Sequence, residues 1–275
     1  MVKILNGEPI RDANSLPFHK ESKTKYELEQ QKEQIQNRKI TDEITIEKET
    51  NKNYRLIDLL EQIQKIDGIE RIRLGSLEPT LITEEFVTRL SKLSKICDHF
   101  HLSLQSGCNE TLKRMNRKYT TEIFEKGVQL LRGAYPNVHL TTDIIVGFPG
   151  ETEKEFQTTY EFLKKIKFYK MHVFKYSPRK GTIAAKMPKQ IDGNQKEERS
   201  NLLIELSNQN ELAYNQEYLG RIVEVLLEDR ENQYIKGHTT NYMLVKVKTK
   251  EELENTIQDV KITGLDGVEL VGENA

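Results

Sequence analysis

Residues 139–156 read HLTTDIIVGFPGETEKEF, and the run changes character at Gly147. Up to that point it is short, apolar and β-branched, which predicts a buried strand from His139 to Phe148. Gly147, Pro149 and Gly150 then punctuate the chain. Thr152 and Glu155 follow at capping-box spacing, ahead of a helix that carries Phe156, Tyr160 and Leu163 on one stripe. Strand, tight turn and capped helix in that order form a βα unit.

The same pattern repeats outward. Upstream, Leu56, Leu59, Leu60, Ile63 and Ile66 share a helix face, with Gly68 at the position of a C-cap glycine. A strand from Ile72 to Leu77, a helix over about 83 to 95 with Phe86, Leu90 and Leu93, a strand from Phe100 to Leu104, and a helix over about 121 to 134 follow in turn. Downstream lies a strand from Met171 to Tyr176. Four short apolar strands separated by helices predict parallel βα units. A curved partial barrel and an open doubly wound sheet both satisfy the pattern. Either architecture places a ligand site at the C-terminal ends of the strands.

Those ends are polar or glycine-rich: Ser76-Leu77-Glu78-Pro79, Gln105-Ser106-Gly107, Gly147-Phe148-Pro149-Gly150-Glu151 and Ser177-Pro178-Arg179-Lys180-Gly181. Glycine admits close backbone approach, and amides at a following helix N-terminus can meet negative charge or a purine edge. Tight strand-to-helix turning is the competing explanation for Gly147, Pro149 and Gly150 taken alone.

The ends of the chain differ from this middle. Residues 1–52 are dominated by Lys, Glu, Gln and Asn and read as a poorly structured polar extension, with one short strand possible around Ile44, Thr45 and Ile46. After a long helix from Asp192 to Leu219, closed by Gly220, come five short strands: Ile222–Leu227, Tyr234–Gly237, Met243–Val247, Asp259–Thr263 and Val268–Val271. That spacing predicts a small antiparallel barrel over 216–275, behind a core over 53–215.

With 275 residues, 36% hydrophobic and 31% charged, the chain has room for two domains of roughly 150 residues or fewer, and no run approaches the roughly 20 apolar residues of a membrane span. The start, MVKILNGEPIRD, lacks the apolar core of a secretory signal, so the expected location is cytoplasmic, without membrane contact. A net charge of −1 means that nucleic-acid binding requires a local basic surface. Lys236, His238, Tyr242, Lys246 and Lys248 on the barrel strands combine cations with flat rings, as RNA contacts do. Arg114, Arg117 and Lys118 form a second basic cluster. A solvated charged face accounts for either set equally simply. The two cysteines, Cys97 and Cys108, have ten residues between them, which fits neither a CxxC knuckle nor a CxxxCxxC cluster loop. No residue is assigned as a metal ligand.

The strings IRLGSLEP, HFHLSLQSG, LKRMNRKYT, TTDIIVGFPGETEKEF and HVFKYSPRKGT together resemble consecutive blocks of the radical-SAM tRNA methylthiotransferases. HVFKYSPRKGT and KEERSNLLIELSN are closer to the enzymes acting on threonylcarbamoyladenosine than to those acting on isopentenyladenosine or a ribosomal protein. The resemblance implies the later βα units of a partial radical-SAM barrel, followed by an oligonucleotide-binding-like TRAM barrel that grips tRNA. It implies contacts to the ribose of S-adenosylmethionine from Gln105 and Ser106, and an adenine surface from Ile145, Val146, Gly147 and Phe148. Ser76 and Glu78 would face the same cavity. Glu78 is equally well explained by pairing within the rim.

The sequence departs from that family in lacking the three-cysteine loop for its 4Fe-4S cluster. Two readings follow: part of a methylthiotransferase, truncated, fragmented or split so that a second polypeptide supplies the missing half, and incompetent in catalysis unaided; or a non-catalytic tRNA-binding protein. Both predict salt-sensitive tRNA binding without cleavage of S-adenosylmethionine. Absence of the earlier strands also predicts an exposed sheet edge at Ile72–Leu77.

Overall fold

The computed structural model describes residues 2–6 and 54–275. The expected polar extension and the strand around Ile44 lie outside the described residues, apart from 2–6. A five-stranded sheet has the order β1 (Val2–Asn6), β2 (Ile69–Leu77), β3 (Ile96–Gln105), β4 (His139–Val146) and β5 (Lys170–Lys175). β2 to β5 pair in parallel, in chain order. The helices are α1 (Leu56–Ile63), α2 (Glu84–Leu90), α3 (Asn109–Arg114), α4 (Thr121–Ala134), α5 (Glu153–Ile166) and α6 (Gly193–Gln216).

The edge expected to be open at Ile72–Leu77 is covered. β1 pairs antiparallel along it, Val2 opposite Leu74 and Ile4 opposite Ile72, because the start of the chain supplies a short strand that satisfies the free backbone groups. The opposite edge is closed by α6: the Ser207 hydroxyl accepts the Met171 amide at 2.9 Å.

Alternate residues of each strand meet the helices. Ile72, Leu74, Phe100, Leu102, Leu104, Leu140, Ile144 and Val146 join Leu60, Leu90, Phe124, Val128, Leu131, Phe156 and Leu163 in one core. The other face carries Arg71, His99, His101, His139, Thr141, Asp143 and His172. A doubly wound sheet would need apolar residues on both faces. Helices on one face and a polar stripe on the other resolve the choice in favour of a partial barrel.

Local chemistry sets most element ends. The Thr152 hydroxyl accepts from the Glu155 amide at 3.3 Å while Glu155 reaches back to the Thr152 amide at 2.7 Å, the reciprocal cap expected of that spacing. β4 stops at Val146 rather than Phe148 because Gly147 turns to φ +71°. In α1 the buried stripe is Ile57, Leu60 and Ile63, so the face is rotated from the expected one and Leu59 is exposed.

The C-terminal strands β6 (Ile222–Glu231), β7 (Tyr234–Thr239), β8 (Leu244–Lys248), β9 (Thr256–Asp266) and β10 (Glu269–Asn274) close into a barrel of order β10-β8-β7-β6-β9. It is not antiparallel throughout, since β8 and β10 pair in parallel. Val225, Leu227, Ile235, Met243, Val245, Val247, Val260, Ile262 and Leu270 fill it. Gly237 is required there: a Cβ would lie 2.1 Å from the Leu226 carbonyl oxygen.

Candidate functional site

The barrel packs on the polar face of the sheet near the N-terminal ends of the strands. Arg71, buried on β2, donates to the His238 carbonyl at 3.1 Å and to the Glu224 carboxylate at 2.5 Å. His139 stacks on Tyr169 with ring centroids 4.2 Å apart. Asn241 donates to the Tyr218 hydroxyl at 2.8 Å and to the Asn137 carbonyl at 3.2 Å. Arg73 lies 4.0 Å over the Tyr242 ring, which is also stacked against His238 at 4.2 Å. The floor of the concave face is therefore closed, and its strand ends stay clear of this junction.

At those ends Gln105 is nearly buried, with φ +68°, and pairs in register with Ile144. Ile145, half-buried on the polar face, stands opposite the exposed ring of Phe174. Phe148 packs edge-on against Tyr176 at 5.2 Å, and the Tyr176 hydroxyl is buried without a partner among the described residues. Gln105, Ile145, Gly147 and Phe148 are thus gathered on one stretch of rim.

Ser106 and Val146 face the other way. The Ser106 hydroxyl bonds Thr159 at 3.2 Å and accepts the Cys108 amide at 3.3 Å, both inside the core. Val146 is buried beneath the helices, and its carbonyl accepts the Tyr176 amide at 2.9 Å. Ser76, with φ +54°, and Glu78 are exposed on β2 and beyond, where Leu77 is level with Leu102. They therefore lie lower along the wall than Gln105, and Glu78 stands 3.9 Å from Arg117.

The rim loop is anchored by a pair that periodicity does not reveal. Glu151 accepts the Gly147 amide at 2.7 Å and the Arg199 guanidinium at 2.8 Å, and both charged side chains are almost fully buried. Burial pushes the Glu151 carboxyl upward, while the amide and the guanidinium hold it down. Arg199 sits in the second turn of α6 in a polar stretch, and no sequence signal separates it from its solvated neighbours. Lys196, one turn earlier, donates to the Tyr176 carbonyl at 3.1 Å.

Most of the anticipated RNA-facing cations have partners. Arg114 forms a two-pronged bridge to Glu155 at 2.8 and 2.9 Å. Lys118 donates to Asn116 at 2.9 Å on an exposed turn. Lys236 pairs with Glu231, His238 with Glu228, and Lys246 with both Asp266, at 3.0 Å, and Glu269. Tyr242 and His238 stack on each other at the junction. Lys248 is exposed and has no such partner among the described residues.

The polar face holds a further group that the sequence reading passed over. His101 Nε2 lies 3.3 Å from the Asp143 carboxylate, and His172 on β5 is next to both. The available signal was an alternation of polar residues along otherwise apolar strands.

A family-implied cluster does not fit the residues present. Cys97 and Cys108 are both buried, burial pushes the Cys97 thiol up to about 11, and the Cys108 thiol donates to Glu110 at 3.2 Å. Two buried, high-pKa thiols do not form a three-thiolate site. For S-adenosylmethionine the rim offers the apolar ring of Phe148, packed on Tyr176, whose hydroxyl has no partner among the described residues.

Residues 12–163 match the family profile described as the Radical SAM superfamily. The threonylcarbamoyladenosine tRNA methylthiotransferase MtaB of Bacillus subtilis is 43% identical over 221 residues, covering 78% of this chain and 49% of that protein. A tRNA-2-methylthio-N(6)-dimethylallyladenosine synthase of Alkaliphilus oremlandii is 42% identical over 219 residues, covering 78% and 46%. The chain spans about half the length of these curated relatives. Among solved structures, coproporphyrinogen III oxidase of Escherichia coli, a radical SAM enzyme, aligns over 74% of this chain and 50% of its own, with a TM-score of 0.47 and 11% identity. Among the described residues no helix is long and apolar enough to cross a membrane.

Proposed function

Because this chain belongs to the radical SAM superfamily, within its tRNA methylthiotransferase branch, we propose that it forms the later part of an enzyme that adds a methylthio group to N6-threonylcarbamoyladenosine next to the tRNA anticodon. The observation that carries the reading is the order of the strand-end motifs, from Ser76 through Gly181, on one rim of the sheet. The terminal barrel supports it as a TRAM-type RNA-binding module. Gln105, Ile145, Gly147 and Phe148 would hold S-adenosylmethionine, with Ser76 and Glu78 nearer the substrate. When bound and reduced by one electron, that cofactor supplies a carbon radical. The residues of this chain bind and orient; the thiolates for a reducing cluster would come from elsewhere.

A chimera tests this. Residues 54–275 replace the region that they match in the B. subtilis relative, and tRNA nucleosides are examined by mass spectrometry in cells lacking that relative. Appearance of the 2-methylthio nucleoside is expected. A folded, cluster-containing chimera that leaves the nucleoside unmodified overturns the proposal. The second reading, a non-catalytic tRNA-binding protein, is favoured by the two buried cysteines. It requires that the chimera bind tRNA and remain inactive.

A further inference from the structure

We propose that His101, Asp143 and His172 form a site for a divalent transition-metal ion of the zinc class, on the polar face of the sheet and independent of any cysteine. Strand register builds it. Asp143 on β4 is directly opposite His172 on β5, and His101 on β3 is opposite Thr141, two residues before Asp143. Side chains two apart share a face, so the three project together from adjacent strands. Their ligand atoms all lie within 4.8 Å of one another, and His101 Nε2 is 3.3 Å from Asp143 Oδ2. Around a tetrahedral ion with bonds of about 2.0–2.1 Å, ligand atoms stand roughly 3.3 Å apart, so small side-chain rotations complete the geometry.

Orientation and charge favour a cation there. His101 Nδ1 is 3.0 Å from the Thr141 hydroxyl, which fixes the ring by its far nitrogen and leaves Nε2 facing Asp143. Held imidazoles of this kind are the usual metal ligands. Among the described residues Asp143 has no lysine or arginine within ion-pair distance; Lys170, on the neighbouring strand, is taken by Glu211 at 2.9 Å. Among the described residues this carboxylate, beside two imidazoles, therefore has no permanent positive partner. Two nitrogens and one oxygen suit zinc, cobalt or iron(II) better than magnesium or calcium, and leave positions open for water or a substrate oxygen.

The test is titration of the full 275-residue chain, freed of metal by chelation, with Co2+, followed by visible d–d absorption and displaced by Zn2+. One equivalent is expected, with affinity falling at least tenfold in His172→Ala and in Asp143→Asn, and unchanged in Cys97→Ser. Asp143→Asn preserves shape, so it reports even if His172→Ala does not fold. No d–d bands at excess Co2+, or bands that persist in both variants, overturn the proposal.

Discussion

Arg199 and Glu151 form an ion pair in which the guanidinium Nη1 is 2.8 Å from the carboxylate Oε2, with side chains only 3% and 1% exposed. The pair ties the rim loop after β4 to α6, and Glu151 also receives the Gly147 amide at 2.7 Å. Removing one member leaves the other charge buried and unpaired, which costs about 3–5 kcal/mol. Arg199→Met is therefore expected to lower the urea midpoint severely. Adding Glu151→Gln should recover part of the loss, measured as a coupling energy in a double-mutant cycle. Additive losses would show that the pair does not hold the loop.

Gly147 tests the same loop from the backbone side. A Cβ would sit 2.3 Å from Lys196 Cγ, and the residue holds φ +71°. Left-handed backbone costs a non-glycine residue roughly 1–2 kcal/mol, and the contact adds to that. Gly147→Ala should lower the melting temperature, and Gly147→Ala with Lys196→Ala should recover the contact part only. Full recovery would mean that the positive φ carries no strain.

How much of this was legible beforehand depended on how local the cause was. The Thr152–Glu155 cap and the apolar alternation in β3 and β4 are set by neighbours in sequence, and they appear where the pattern places them. The rotation of α1 towards Ile57 was not readable, because Ile57 and Leu59 are both apolar and only packing into the common core chooses between them. Arg199 lies 48 residues from Glu151, and its neighbours in α6 are equally polar. Tyr242 and His238 read as an RNA-facing pair because nothing in the sequence around them announces that Arg73 and His99 will meet the Tyr242 ring. The polar rim was legible as a set of strand ends, whereas the sorting of Ser106 inward and Gln105 toward the rim followed from backbone at φ +68°.

Acid should loosen the joint between sheet and barrel. His139 is buried against Tyr169, Tyr214, Tyr218 and Asn241, and burial pushes its pKa down to about 4. No charged side chain contacts the ring in that set. The unfolded chain, with a pKa of about 6.5, binds the proton more readily, so stability rises with pH across this window and is lost as pH falls from about 6.5 towards 4. The contribution is on the order of 3 kcal/mol by pH 4. Thermal unfolding between pH 7 and pH 4.5 should show this slope, and His139→Phe should flatten it. An equally steep slope in the variant would assign the acid sensitivity to other groups.

Binding of tRNA is expected to distinguish two lysines of one strand that differ in their partners. Lys246 is already neutralised by Asp266 and Glu269, which raise its pKa, whereas Lys248 is exposed and unpaired among the described residues. A free ammonium releases a phosphate counterion on binding, and a paired one must first give up its carboxylates. Lys248→Ala should weaken binding and reduce the slope of log K against log salt by about 1. Lys246→Ala should leave both nearly unchanged. Fluorescence anisotropy with labelled tRNA over a range of salt concentrations reads both quantities. A larger effect at Lys246 would place the RNA on the Asp266 side of the barrel, with that ion pair opened on binding.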